Sequence, residues 1–311
     1  MPRPLAVEIL DAIVTTVRNH RTLSAGPPAD RTFDVGEFDR LEVVGPFDVQ
    51  VQTGLAPGVT AHGPESALES LLVQHEDGRL VIGCEGDCDG DITVVVSVTA
   101  LRSLLLAGSG DVSIDRINGD AFECSSSGSG DLSADELDAE TVTLSSGGSG
   151  DIQLGRVRAK LFEVDLTGSG DLTADAIESA EFKLSLNGSG DAHVDDYRGG
   201  RIEAALSGSG DLELGSAEAD SASLSSFGSG DIHVGAGRLR TVNLETGGSG
   251  DISVEGAEAA EAMISVCGSG DVSARATESA EIAVMGSGDV SVTGGAKCSI
   301  SGNGSGDIAC S

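Results

Sequence analysis

The chain has 311 residues, 51 of them acidic and 18 basic, for a formal net charge of −33. A surface this acidic repels nucleic acid and anionic membranes, which argues against polyanionic partners. Forty-five glycines, seven prolines, one tyrosine and no tryptophan describe a chain that turns often and packs with small aliphatic side chains, and its six cysteines lack the paired spacing beside histidines of a zinc site.

Residues 1–18 read as an amphipathic helix with Ala6, Ile9, Ile13 and Val17 near one face. Glu8 and Asp11 interrupt what would otherwise be the apolar centre of an export signal, so the helix is expected instead to cap an open sheet end. No apolar run reaches the length of a membrane span. Residues 19–31, with Gly26-Pro27-Pro28, read as a linker. Residues 32–107 are strand-rich: Leu41, Val43, Phe47, Val49 and Val51 are mostly two apart, and Ile92 to Leu106 carry the alternation onward. This segment is the expected N-terminal part of a solenoid.

Residues 108–311 are a repeat. Gly-Ser-Gly-Asp begins at Gly108 and recurs every twenty residues to Gly268, then after two coils of eighteen at Gly286 and Gly304. Such a period marks a solenoid. Counting each coil from its first glycine, position five is apolar throughout (Val112, Leu132 and Ile152 to Ile308), position seven is small or apolar, and positions fifteen and seventeen add a second apolar pair such as Phe162 and Val164. Strand side chains alternate faces, so this odd register turns one face inward from position fifteen through the glycines to position seven, and turns the motif serine and aspartate outward. Both shortened coils lose two residues, which preserves parity. In the coil from Gly268 the loss is expected just before the next motif, leaving Ile282 and Val284 inward; in the coil from Gly286 it is expected in the opposite turn, leaving Cys298 and Ile300 inward. The fold class is therefore all-β, a parallel β-solenoid (β-helix) of about ten coils, a rod on the order of 50 Å long at the strand spacing.

Phe38-Asp39-Arg40-Leu41, Gly45-Pro46-Phe47-Asp48-Val49, Asp77-Gly78-Arg79-Leu80-Val81-Ile82 and Val98-Thr99-Ala100-Leu101, leading into Gly108-Ser109-Gly110-Asp111, resemble the putative autotransporter adhesin head GIN domain family over residues 33–311. The resemblance implies a β-helix with an extracytoplasmic, adhesive role and no catalytic residues to carry over. Members usually begin with an export or lipoprotein segment, which residues 1–18 do not resemble.

The motif aspartates, Asp111, Asp131, Asp151, Asp171, Asp191, Asp211, Asp231, Asp251, Asp271, Asp289 and Asp307, are the one constellation suited to binding. Stacked carboxylates about 5 Å apart repel by roughly 0.8 kcal/mol in water-like surroundings and by about 3 kcal/mol at an effective dielectric near 20, so the column must be wet, hydrogen-bonded or cation-bound. Three readings stand open: acceptors for turn amides, a cation site for Ca²⁺, or a flat lattice for ice or mineral. His193 and His233, both at position six, read as solvated. Cys124, Cys298 and Cys310 fall on inward positions as small hydrophobes, while Cys84 and Cys88 are equally consistent with a disulfide and with free thiols. The Ser-Gly-Asp recurrence is not a nucleophile elbow, and the acidic-sugar chemistry of β-helix enzymes needs aromatic and basic platforms that are scarce here.

The expected function is a non-enzymatic structural or adhesion-type surface protein presenting a repetitive acidic face, without a cofactor. A Ca²⁺-binding module is the second reading, and a polysaccharide-active β-helix enzyme the third. Expected partners are a cell-surface or matrix component, or another copy met through the C-terminal end, where Ile308 and Cys310 complete only one inward pair.

Overall fold

A computed structural model describes residues 26–86, 88 and 91–311, so the helix expected over 1–18 lies outside the described residues. The linker expected over 19–31 ends earlier than expected, because Pro28–Arg31 already belong to β1 (Pro28–Phe33), which pairs antiparallel with β4 (Gly58–Pro64). Between them, β2 (Arg40–Val44) and β3 (Asp48–Thr53) form two walls of one coil around the corner Gly45-Pro46-Phe47. After β4 come a single-turn helix α1 (Glu65–Ser70), β5 (Leu71–Glu76), β6 (Arg79–Cys84), β7 (Thr93–Val98) and β8 (Ser103–Leu106), which leads into the first long repeat strand, β9 (Val112–Ser126).

The stack does not follow chain order at this end. β2 lies between β6 and β8, and β3 between β7 and β9, all parallel, so the coil laid down first is covered on both sides by chain that comes later. Beyond it, β4 and β5 run antiparallel to β7 and β6. This reversal ends the parallel ladder, and Ala67 and Leu68 of α1 bury themselves there. The Arg31 guanidinium donates to the Leu68 carbonyl at 2.7 Å and lies 4.7 Å from the Phe33 ring centre. A polar side chain on the outermost strand hinders edge-to-edge pairing.

From β9 onward each full coil is one bent fifteen-residue strand: β10 (Leu132–Ser146), β11 (Ile152–Leu166), β12 (Leu172–Leu186), β13 (Ala192–Leu206) and β14 (Leu212–Ser226). The series continues with β15 (Ile232–Val234), β16 (Gly237–Thr246), β17 (Ile252–Val266), β18 (Val272–Val284), β19 (Val290–Thr293), β20 (Lys297–Gly302) and β21 (Ile308–Cys310). Neighbouring coils pair in parallel, one coil out of phase, as in Leu132 with Ile152 and Val142 with Phe162. Positions five, seven, fifteen and seventeen are buried along the full coils, as the odd register requires.

A further wall lies between these two. Ile117, Leu137, Val157, Ile177, Tyr197 and Ala217, at position ten, are buried on an even register. Two successive outward residues at positions eight and nine invert the parity, and two more at thirteen and fourteen restore it, so the cross-section has three walls meeting at three corners. Large rings concentrate in mid-rod. Phe162 stacks on Phe182 with centroids 5.4 Å apart, and Phe182 on Tyr197 at 5.9 Å. Tyr197 is fully buried, and its one hydroxyl proton is shared between the carbonyls of Ser179 and Arg201, 3.1 and 3.0 Å away.

The shortened coils correct one expectation. In the coil from Gly268 the loss falls after Ala274, where the register with β17 shifts, and not before the next motif. Ile282 and Val284 remain buried but occupy the columns of Ile264 and Val266, with Ala280 under Ala262. The wall that delivers the chain to the glycine corner keeps its full length, and the far corner absorbs the deletion. Cys298 and Ile300 continue the inward columns of Ala280 and Ile282. Ile300 is nevertheless 55% exposed, because no described coil covers it.

The register makes a direct prediction. Leu172 is fully buried whereas Thr173 is exposed, so Leu172→Asp buries an unpaired charge and should cost more than about 3 kcal/mol in chemical denaturation, with Thr173→Asp within about 1 kcal/mol of the parent. Equal losses would refute the alternation.

Candidate functional site

The motif corner is built by contact between backbones. A Cβ added to Gly128 would run into the Gly108 carbonyl oxygen, and one added to Gly130 into that of Gly110; the same collision recurs at each later motif glycine. Glycine is needed here for close approach, since the corner of one coil rests on the carbonyls of the last. The series begins before the first recognised motif: a Cβ on Gly108 or Gly110 would meet the carbonyls of Gly45 and Phe47. Gly45-Pro46-Phe47-Asp48 is thus an unrecognised first copy of the corner. Its sequence signal was the shared spacing of glycine, aspartate and a following apolar residue.

On this corner the aspartates form a hydrogen-bonded ladder. The amide of Asp111 donates to Asp48 Oδ1 at 3.1 Å, Asp131 to Asp111 at 2.9 Å and Asp151 to Asp131 at 2.8 Å. The chain of bonds continues through Asp171, Asp191, Asp211, Asp231, Asp251, Asp271 and Asp289 to Asp307, with distances of 2.7 to 2.9 Å. The strand ladder resumes one residue later, where the amide of Leu132 donates to the Asp151 carbonyl. The carboxylate therefore replaces the backbone acceptor that the turning corner removes, satisfying an amide that would otherwise rely on water. All eleven candidate aspartates come together in this one column, joined by Asp48. The ladder uses Oδ1 alone. Among the described residues no three His, Cys, Asp or Glu side chains converge as a metal-binding group.

Beside the column, His193 lies at position six between two carboxylates, with Nε2 at 2.8 Å from Asp195 Oδ1 and Nδ1 at 3.2 Å from Glu213 Oε2. The hydrogen bond to Asp195, aided by the charge of Glu213, raises its pKa above the ordinary 6.5. Each ring nitrogen thus faces a carboxylate, so both are engaged with acids.

The cysteines depart from expectation at one place. Cys124 is a buried thiol whose pKa desolvation, then the charge of Glu123, pushes up to about 12. Cys298 and Cys310, read as small hydrophobes, instead form a disulfide with Cα atoms 6.7 Å apart. They stand at inward positions on different walls of the last coils and so face one another across the interior. Cys84 and Cys88 also form a disulfide, with Cα atoms 6.2 Å apart.

Comparison with known proteins places this architecture. The family described as putative auto-transporter adhesin, head GIN domain, matches residues 37–197 and 193–296. Among solved structures, the chain is similar to a putative adhesin from Parabacteroides merdae, at 14% identity and a TM-score of 0.48, covering 92% of this chain and 97% of that one. A putative adhesin from Parabacteroides distasonis is similar at 14% identity and a TM-score of 0.47, covering 92% and 98%. A putative lipid binding protein from the same organism gives 20% identity and a TM-score of 0.42, covering 92% and 97%. No curated protein matches.

Two predictions test the ladder and its neighbour. Asp171 accepts from the Asp191 amide, so Asp171→Ala should lose about 1 kcal/mol, while Asp171→Asn keeps the acceptor, relieves column repulsion and should be at least as stable as the parent at low salt. Equal destabilisation by both would deny the acceptor role. The raised pKa of His193 means that its stabilisation is complete below about pH 6.5 and fades as pH rises through the folded value. In paired melting curves, His193→Gln should therefore lower the midpoint more in mild acid than in mild alkali.

Proposed function

Since the chain belongs to the putative auto-transporter adhesin, head GIN domain family, we propose that it is a non-enzymatic, adhesion-type surface protein whose aspartate wall is the contact face. The observation that carries this reading is the distribution of charge around the coil. From position four to position seven, no coil contains a lysine or arginine, while every coil contributes an aspartate and one adds Glu213. The ladder orders those carboxylates at the strand spacing, about 4.8 Å, along the rod. A wall of that kind favours cationic groups on a cell-surface or matrix component and discriminates against anionic ones. The two disulfides support an oxidising, extracytoplasmic setting.

Calcium is the second reading, favoured by the carboxylate oxygen of each rung that the ladder leaves uncommitted. In that case the ion would bridge successive rungs and join the wall to an acidic partner.

Binding of the intact chain to matrix-coated surfaces separates the two. A variant with Asp151, Asp171, Asp191 and Asp211 all changed to Asn keeps every acceptor. It should bind basic matrix proteins several-fold more weakly than the parent, with the parent's own binding falling as salt rises. Unchanged binding by this variant would remove the acidic wall as the contact face. Calcium-dependent binding to acidic surfaces, with heat on calorimetric titration, would replace the first reading by the second.

A further inference from the structure

Exposed apolar side chains collect at one end of the rod. Of the five large hydrophobic residues that stand exposed among the described residues, Phe227, Met263, Met285 and Ile300 fall in the last third of the chain, and only Leu55 lies elsewhere. Two of the four share a column. The last residue before each motif, position twenty of a full coil, is Ala107, Ser127, Gly147, Thr167, Asn187 and Ser207 in the earlier coils, then Phe227, Gly247, Cys267 and Met285, with Asn303 before the final motif. The stacking bonds Phe227 N–H to Leu206, Gly247 to Ser226, Cys267 to Thr246 and Met285 to Val266 place all four on one corner of successive coils. Phe227 is 51% exposed, Met285 is 63% exposed, and Cys267 carries an exposed free thiol.

The corner is also close to neutral. Across Ser225–Ser229, 245–249, 265–269 and 283–287, the only charged residue is Glu245, in a chain of net charge −33. Two copies of so acidic a chain repel over most of their surface and approach at least cost where charge is lowest. The column is self-complementary as well. The Phe227 ring leans over Gly247 of the next coil, where a Cβ would meet it, so a two-fold axis midway between Gly247 and Cys267 sets this ring against Met285 of a second copy, a thioether-on-aromatic contact. Three coil intervals span only about 14 Å, so the contact is smaller than a standard interface and the association is weak.

We propose that this corner is a self-association surface, through which two copies pair side by side, antiparallel, about the Phe227–Met285 stripe. The inference does not depend on the acidic wall, which lies beyond the glycine corner, nor on what covers the last coil.

Sedimentation equilibrium of the intact chain under reducing conditions should show mass rising with concentration. Phe227→Ser with Met285→Ser, which install the residue type found at Ser127 and Ser207, should weaken association about tenfold or more without lowering the melting temperature. The register is tested separately by mixing Phe227→Cys and Met285→Cys chains, each also carrying Cys267→Ser, under mild oxidation. The mixed disulfide should exceed both like-with-like products, because only the mixed pair lies opposite across the axis. A strictly monomeric parent, association unchanged in the serine variant, or statistical cross-linking would each overturn the proposal. So would a monomeric parent that binds phosphatidylcholine vesicles through the same residues, since the occupant would then be lipid.

Discussion

The rest of the solenoid depends on how closely one coil lies on the next at the glycine corner. Each motif glycine lies against a carbonyl of the corner one coil earlier, that of a glycine everywhere but at Gly110, which meets Phe47, with no room for a Cβ. That contact sets the rise at the corner, and the rise places an aspartate amide within reach of the preceding carboxylate along the whole rod. Glycine costs conformational entropy on folding. Here the cost is offset at each rung by a hydrogen bond to a side-chain oxygen, which satisfies an amide that the turning backbone leaves without a partner. Glycine and aspartate thus recur together because neither suffices alone: glycine without the carboxylate strands an amide, and the carboxylate without glycine is too far away.

Much of this was legible because the corner repeats a tetrapeptide, and chemistry that recurs without variation can be read without a structure. The odd register and outward aspartates followed from spacing alone. The third wall was not legible, since position ten holds residues as different as Ile177, Tyr197, Ala217 and Gly237. Its even parity appears only if both corners are known to take two outward residues each. The first copy of the corner was hidden for a related reason: Pro46 and Phe47 replace serine and glycine, so identity is lost while the glycine-to-aspartate spacing survives. The Cys298–Cys310 pairing depends on two walls facing each other across the interior, a relation that separation along the chain does not encode.

The N-terminal end shows what a repeat cannot supply. A parallel stack presents a bare edge wherever it stops. Here the coil of β2 and β3 is enclosed between later strands, and the layer beyond them runs antiparallel with a short helix at its bend. The change of direction ends the series of equivalent coils, so that a further coil has no parallel template to extend. Chain order predicts little of this, because Arg40 pairs with Arg79 and with Ser103, and Asp48 with Thr93, while only the β5–β6 hairpin joins neighbours in sequence.

The acidity of the motif wall is not a passive result of having few basic residues. Along position eleven and its aligned continuation, the register brings together Asp138, Arg158, Glu178, Arg198, Glu218, Arg238, Glu258 and Arg275, alternating in sign at every coil. Arg158 reaches Glu178 at 3.1 Å and Arg275 reaches Glu258 at 3.2 Å. Exposed pairs of this kind contribute little individually, and their alternation mainly avoids like charges directly opposite. Each arginine placed there is absent from the motif wall, where the same spacing stacks like charges and a basic neighbour would relieve them most. Compensation by arginine is thus concentrated on one wall, while on the motif wall the carboxylates from Asp48 to Asp289 are each held by the amide of the next rung, and His193 lies between Asp195 and Glu213.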